Sequence, residues 1–326
     1  MSILVTGAAG FIGFHLSRAL LARGEAVVGV DNLNDYYDPD LKRGRLAVLQ
    51  DQSGFSYKEL SIADKEAMLD LAAGEPEVTA IVHLAAQAGV RYSLENPYAY
   101  VEANAMGQLV MLEACRRWPR LDHFVYASSS SVYGANTKVP FAVGDPVDQP
   151  VSLYAATKRA AELMAATYSH LYAIPMTGLR FFTVYGPWGR PDMAYFGFTK
   201  AILDGKEIKV FNHGDMRRDF TYIDDIVAGI LSAVDRPPAP GVGRPPHRIF
   251  NLGNHRTESL LRFIEVLETA CGRKARKVMV EMQPGEVLET YADIEASRRE
   301  LGFDPKTTID EGLPKFVQWY REFYGI

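Results

Sequence analysis

The chain has 326 residues, 48% hydrophobic and 23% charged, with a formal net charge of −5. That is globular composition, long enough for a large core or two interlocked domains. It has no basic block and no long apolar run, and its N-terminus, MSILVTGAAG, has no positive segment, which argues against a nucleic-acid partner, a membrane span and a signal peptide. Cys115 and Cys271 are the only cysteines, and their partly apolar, helix-like contexts suit reduced core thiols in a cytosolic chain. The seven histidines show no metal-like spacing, so no bound metal is expected.

Ile3 to Thr6 reads as a short apolar strand. Ile12, Leu16 and Leu20 then recur at four-residue spacing, one face of a helix. Gly24 follows, where a left-handed cap falls. Ala26 to Val30 is a second buried strand ending at Asp31. Further strands are predicted at Phe55–Leu60, Ala80–His83, His123–Ala127 and Met176–Arg180, with helical stretches between most of them. Apolar strands interleaved with helices predict an α/β fold, a doubly wound parallel sheet covered on both faces. After Arg180 the pattern loosens, and Pro237 to His247 (PPAPGVGRPPH) reads as a surface loop. The expected division is a nucleotide-binding domain over residues 1–180, with 221–236 packing back on it. A smaller, mostly C-terminal α/β substrate domain covers 181–326.

Gly7, Gly10 and Gly13 lie where the first strand turns into the first helix. The first allows a tight turn, the second a close approach to a pyrophosphate, the third tight helix–strand packing. Free amides at the helix start then face the phosphates. A plain loop is the competing explanation; the strand before, the helix after and the acid ending strand two favour the Rossmann site. Asp31 suits the adenosine ribose hydroxyls and would repel a 2′-phosphate, which favours NAD over NADP. Otherwise it is a solvated loop aspartate.

Ser128-Ser129-Ser130-Ser131 follows a buried strand, and ligands in open parallel sheets bind beyond the strands' carboxyl ends. Tyr154 and Lys158 then share a helix face at i, i+4. A lysine ammonium near a phenol lowers its pKa from about 10, making Tyr154 a workable base for an alcohol proton. The alternative is a surface helix pair.

The glycine pattern, the serine-rich strand and Tyr154-x-x-x-Lys158 resemble the extended short-chain dehydrogenase/reductase family, the NAD-dependent epimerases and dehydratases, almost end to end. His83-Leu-Ala-Ala-Gln87, Asn104 and Arg218-Asp219-Phe220 match its nucleotide-sugar enzymes. The resemblance implies Ser129 as catalytic hydroxyl, Tyr154 as base and Lys158 as its partner. It implies NAD contacts from Gly7, Gly10, Phe11, Ile12, Gly13, Asp31, Asn32, Ile62, Leu84, Ala85, Ala86 and Asn104. It puts Arg218 on the substrate diphosphate and Val210 and Phe211 by the uracil. The segments at 31–38, 87–93 and 182–193 further resemble UDP-glucuronate 4-epimerases, which isomerise a UDP-linked uronic acid at C4. Thr183 stands where glucose/galactose epimerases carry asparagine, and Ser131 where decarboxylases and dehydratases carry an acid. Ser130, Ser131, Thr183 and above all Arg190 become candidates for the sugar and its carboxylate, since a guanidinium matches a carboxylate bidentately; a surface-loop arginine is the alternative at 190. Arg91 reads better as a structural or interface ion pair.

Two departures stand out. Ser61 precedes Ile62 where an aspartate is usual near the adenine, and Gln283 replaces a second phosphate-binding arginine. The rival expectations are a UDP-glucose 4-epimerase, a UDP-glucuronate decarboxylase and a non-enzymatic NAD sensor. The resemblance implies a homodimer through helices near Tyr98–Trp118 and Ser152–Tyr172, and a homodimer is expected; Leu109, Leu112, Leu163 and Met164 suit that or core packing.

Overall fold

The computed structural model describes residues 1–241, 243–282 and 287–326. The first half runs β1 (Ser2–Thr6), α1 (Phe11–Ala22), β2 (Ala26–Asp31), α2 (Pro39–Gln50), β3 (Phe55–Glu59), α3 (Lys65–Gly74), β4 (Val78–His83), α4 (Tyr92–Glu95), α5 (Pro97–Tyr100), α6 (Gly107–Cys115), β5 (His123–Ser129), α7 (Leu153–Tyr172) and β6 (Met176–Phe181). A π-helical turn, Val101–Met106, joins α5 to α6. The second half follows as β7 (Thr183–Tyr185), α8 (Ala194–Asp204), β8 (Glu207–Phe211), β9 (Arg217–Arg218), β10 (Phe220–Tyr222), α9 (Ile223–Val234), β11 (His247–Leu252), β12 (Glu258–Ser259), α10 (Leu260–Cys271), β13 (Arg276–Val280), α11 (Glu295–Leu301) and α12 (Ile309–Tyr324). No helix among the described residues is long and apolar enough to cross a membrane.

Seven strands form one parallel sheet in the order β11-β6-β5-β4-β1-β2-β3. Strand alternation sends successive residues to opposite faces. Leu4, Val28, Ile81 and Phe124 pack with Met68, Leu71, Met111 and Leu112 on one side. Ile3, Val5, Val27, Val82 and Val125 pack with Leu16, Leu20, Ile223 and Ile230 on the other. The seventh strand lies beyond residue 180, so the 1–180 boundary drawn from sequence stops short of the sheet. The described residues of 237–246 hold neither helix nor named strand, while His247 already belongs to β11. Both cysteines are free and buried.

The catalytic-motif helix α7 is tied to the sheet by a buried ion pair. Arg180 at the end of β6 gives Nε and Nη2 to the two carboxylate oxygens of Glu162, at 2.8 and 2.9 Å. Ser128 Oγ donates to Glu162 at 2.6 Å and Arg159 at 2.9 Å; against burial, the Arg180 pair and these two bonds hold the carboxyl below its usual value. Arg180 also donates to Tyr133 Oη at 3.0 Å, and Tyr133 donates to Asn251 at 2.6 Å. Removing one partner of a buried pair strands the other. Arg180→Met is therefore expected to cost about 3–5 kcal/mol of stability, read from the denaturant midpoint. Arg23→Ala breaks the exposed pair with Asp235 and is expected to cost at most about 1 kcal/mol.

Candidate active site

The carboxyl ends of the strands open into a cavity of about 450 Å³. At one end, Gly7 turns at φ +72° and α1 starts at Gly10 with no side-chain cap. A Cβ on Gly13 would meet the Gly7 carbonyl oxygen at 2.0 Å, so only glycine lets helix and turn approach this closely. The uncapped amide end of α1 suits an anionic phosphate. Asp31 ends β2 with its carboxylate accepting from the amides of Ala9 (3.2 Å) and Leu33 (2.9 Å). Burial raises its pKa, opposed by the charge of Lys42 and those amides.

Gly7, Gly10, Phe11, Ile12, Gly13, Asp31, Asn32, Ile62, Leu84, Ala85 and Ala86 all line this cavity, and Ser61 does too. Ser129, Tyr154, Lys158 and Arg190 line its other end. An open helix start, a ribose-sized carboxylate site and a hydroxyl-rich far end together fit a dinucleotide.

The reacting end departs from the simple helix argument. Lys158 is buried and donates to the Ala127 carbonyl at 2.9 Å, beside β5. Burial lowers its ammonium to about 8, with Glu162 one turn on opposing the shift. Tyr154 is not depressed by it in this state: burial raises the phenol, a Ser129 hydrogen bond and the Arg190 charge pull it back, and Asp192 pushes it up. Sharing a helix face did not decide where the lysine's long side chain points. Beneath them His83 pairs with Thr6 Oγ1 at 2.8 Å, and burial with the Lys158 charge lowers it to about 3.

Among the described residues, Asn104, Ser130, Ser131, Thr183, Val210, Phe211 and Arg218 stand outside the lining. Asn104 works from behind. It accepts from the Gln87 amide at 2.8 Å and donates to the Gln87 carbonyl and Thr157, so it sets the backbone of a lining segment. Ser131 accepts from Ser129 Oγ at 3.1 Å, within a short 3₁₀ turn that starts at Ser130. Thr183 is half-buried in β7, its amide bonded to the Asp219 carbonyl. Val210 is fully buried against Ile208 and Ile264, so its side chain is core rather than a ligand contact. Phe211 is half-buried with the Arg91 guanidinium 4.7 Å from its ring. This is a cation–π contact. Arg218 gives Nη1 to the carbonyls of Arg217 and Leu288. Gln283 lies outside the described residues. Sequence reasoning did not single out Tyr36, Lys42 and Asp192. Tyr36 and Lys42 line the cavity, and Asp192 pairs with Arg190 at 2.5 Å. Tyr36 and Asp192 lay inside segments quoted for resemblance, but their mutual contact spans the chain.

Residues 3–253 match the model of the NAD dependent epimerase/dehydratase family. The chain is 52% identical to UDP-glucuronate 4-epimerase 4 of Arabidopsis thaliana, over all of this chain and 76% of that protein. It is 48% identical to a probable UDP-glucuronate 4-epimerase of Rhizobium meliloti, over 99% of this chain and 98% of that one. The crystal structure of UDP-glucuronic acid 4-epimerase from Bacillus cereus, in complex with UDP-glucuronic acid and NAD, superposes with a TM-score of 0.91 at 35% identity, covering 99% of this chain and 100% of that one. The family match spans more than half of the chain and the Arabidopsis relative covers all of it, so the chain belongs to the NAD-dependent epimerase/dehydratase family.

Proposed function

We propose that this protein catalyses the reversible C4 epimerisation of UDP-glucuronate to UDP-galacturonate through a 4-keto sugar. The observation that carries the proposal is the placement of the Arg190 guanidinium at the Tyr154 end of the cavity, close enough for its charge to act on the phenol. A uronic acid brings a carboxylate beside the carbon that reacts, and a guanidinium binds it with two parallel hydrogen bonds.

Gly7, Gly10, Phe11, Ile12 and Gly13 would hold the NAD diphosphate and Asp31 and Asn32 its ribose, with Ile62, Leu84, Ala85 and Ala86 as walls. NAD, when bound, supplies the acceptor and donor of the C4 hydride. Tyr154 Oη takes the proton of the 4-hydroxyl and later returns it, and Ser129 Oγ donates to the reacting oxygen. Lys158 contributes its positive charge and orients the nicotinamide ribose. Asn104 keeps the 87–88 backbone in place. The 4-keto sugar turns within the pocket and is reduced on its opposite face. A 4-keto uronate is a β-keto acid that tends to lose carbon dioxide, so Arg190 has to hold the carboxylate away from the alignment that favours this. Arg218 would serve the diphosphate, Phe211 the uracil, and Ser130, Ser131 and Thr183 the sugar hydroxyls. Two free, buried thiols suit a cytoplasmic location.

A homodimer is also proposed. Tyr98, Val101 and Met106 before α6, and Leu163 and Leu171 on α7, are at least half exposed and apolar. Leu163 belongs to this face. Leu112 is fully buried in the core and Met164 packs against it, the core-packing alternative for these two. Leu163→Glu is expected to shift the protein from dimer to monomer in light scattering.

Purified protein given UDP-glucuronate without added NAD is expected to yield UDP-galacturonate by NMR. A UDP-pentose product, or turnover of UDP-glucose alone, rejects the assignment. Tyr154→Phe is expected to lower kcat at least roughly 10²-fold. The free enzyme's kcat/KM should fall as pH rises through about 8, where Lys158 loses its proton. In Lys158→Arg, whose guanidinium stays charged, that alkaline limb should move upward.

A further inference from the structure

Arg190 already holds a carboxylate. Its Nε donates to Asp192 Oδ1 at 3.0 Å and its Nη2 to Oδ2 at 2.5 Å. This is the bidentate geometry a substrate carboxylate would take. The two side chains are 24% and 25% exposed, and Arg190 lines the cavity. Tyr36, from the loop after β2, donates its hydroxyl to Asp192 Oδ2 at 3.2 Å. Each carboxylate oxygen of Asp192 is thus engaged.

The backbone beneath this pair is fixed. The Arg190 amide donates to Tyr195 Oη at 3.2 Å. Fully buried Arg45 clamps the Trp188 carbonyl through Nε (3.2 Å) and Nη2 (2.6 Å), and reaches the Gly189 carbonyl at 3.2 Å. The Trp188 ring packs against Phe14, Trp319 and Phe323 with centroids 5.0 to 5.3 Å apart. A Cβ on Gly189 would meet Tyr195 Oη at 2.0 Å. With residues 188–190 held in place, rearrangement falls to the side chains.

We propose that Asp192 is a resident carboxylate, occupying the Arg190 fork in the ligand-free site and exchanging with the carboxylate of a uronate substrate, so that it sets the affinity for the anionic sugar. This rests on the assignment of Arg190 to the substrate carboxylate. The exchange has a physical logic. A guanidinium withdrawn from water is costly when unpaired. Asp192 keeps it paired before binding, and Tyr36 keeps a hydrogen bond on Asp192 after displacement. The competition falls on sugars that carry a carboxylate. A neutral hexose leaves the pair as it stands.

The test is Asp192→Asn, which keeps the shape and removes the charge. Calorimetry on the NAD-loaded protein measures the Kd of UDP-glucuronate and of UDP. The variant is expected to bind UDP-glucuronate roughly tenfold more tightly, the difference between a charged and a neutral hydrogen-bond partner. UDP, which has no sugar carboxylate, should bind with unchanged Kd. The ratio of kcat/KM for UDP-glucuronate over UDP-glucose should rise. Asp192→Ala should likewise tighten UDP-glucuronate binding, raise that ratio and leave the UDP Kd unchanged, which separates charge from any fault of the asparagine variant. An unchanged or weaker UDP-glucuronate Kd, with UDP unaffected, overturns the proposal, because the substrate would then bind with the Arg190–Asp192 pair intact. If wild-type protein does not turn over UDP-glucuronate at all, the functional assignment fails first. That outcome is read from the wild type alone.

Discussion

Glu162 is 1% exposed and Arg180 is 2% exposed, and the placement of the reacting groups depends on how that charge pair is satisfied. A carboxylate withdrawn from water needs all its acceptor positions filled. Arg180, Arg159 and Ser128 fill them, and each comes from a different place: the end of β6, the same helix, and the end of β5. Satisfying Glu162 therefore fixes α7 against two adjacent strand ends. Lys158 lies one turn toward the helix start and Tyr154 two turns. Their positions follow from the anchor rather than from anything near the cavity. From Arg180 the hydrogen bonds run on through Tyr133 to Asn251, which holds the carbonyls of Phe141 and Asp293. One charge pair thus links the helix, the serine turn and the C-terminal segments.

The cavity carries charge at both ends with opposite purposes. At the ribose end Asp31 is a buried acid kept usable by two amides and Lys42. An adjacent carboxylate suits hydroxyls and disfavours a second phosphate. At the reacting end the dominant charges are cationic, Lys158 and Arg190, and Asp192 partly balances them. On the proposed assignment, an anionic sugar would meet favourable potential where its carbon is oxidised. Tyr36 spans the two ends, since its loop begins at the ribose acid and its hydroxyl reaches Asp192.

Local pattern carried much of this into the sequence. The six strands of the first half are legible to within two residues at either end, because buried parallel strands are short apolar runs between helical repeats. The glycine turn was equally plain, since its conformation demands that residue type. The seventh strand, His247–Leu252, was missed: it follows a proline-rich loop and joins the sheet only through tertiary pairing with β6. The strand Glu207–Phe211 alternates exposed and buried, which already turns the Val210 side chain inward. Lys158's partner was beyond reach for another reason. A four-residue spacing fixes a face of the helix, not the direction of a long side chain. The Arg190–Asp192–Tyr36 cluster joins residues far apart in the chain, and no spacing encodes it.

Asp219 shows how the C-terminal segments meet that same frame. It is fully buried beside Arg218, and it accepts from the amides of Asn254, His255 and Ala292 and from Thr221. Burial pushes its carboxyl up to about 6, against four hydrogen bonds that favour the anion. The three amides come from the chain after β11 and from residue 292, so the acid gathers segments that have no strand pairing with one another. Arg218 is the residue before this hub, which fixes its backbone. The molecule repeats one solution in two places. A buried, fully bonded acid fixes the chain, and a neighbouring arginine carries the charge: Glu162 does so for the helix that bears Tyr154 and Lys158, and Asp219 for the strand that bears Arg218. Arg190 differs because its carboxylate partner is neither fully buried nor fully bonded by backbone. That is the arrangement expected where the partner has to be exchanged rather than kept.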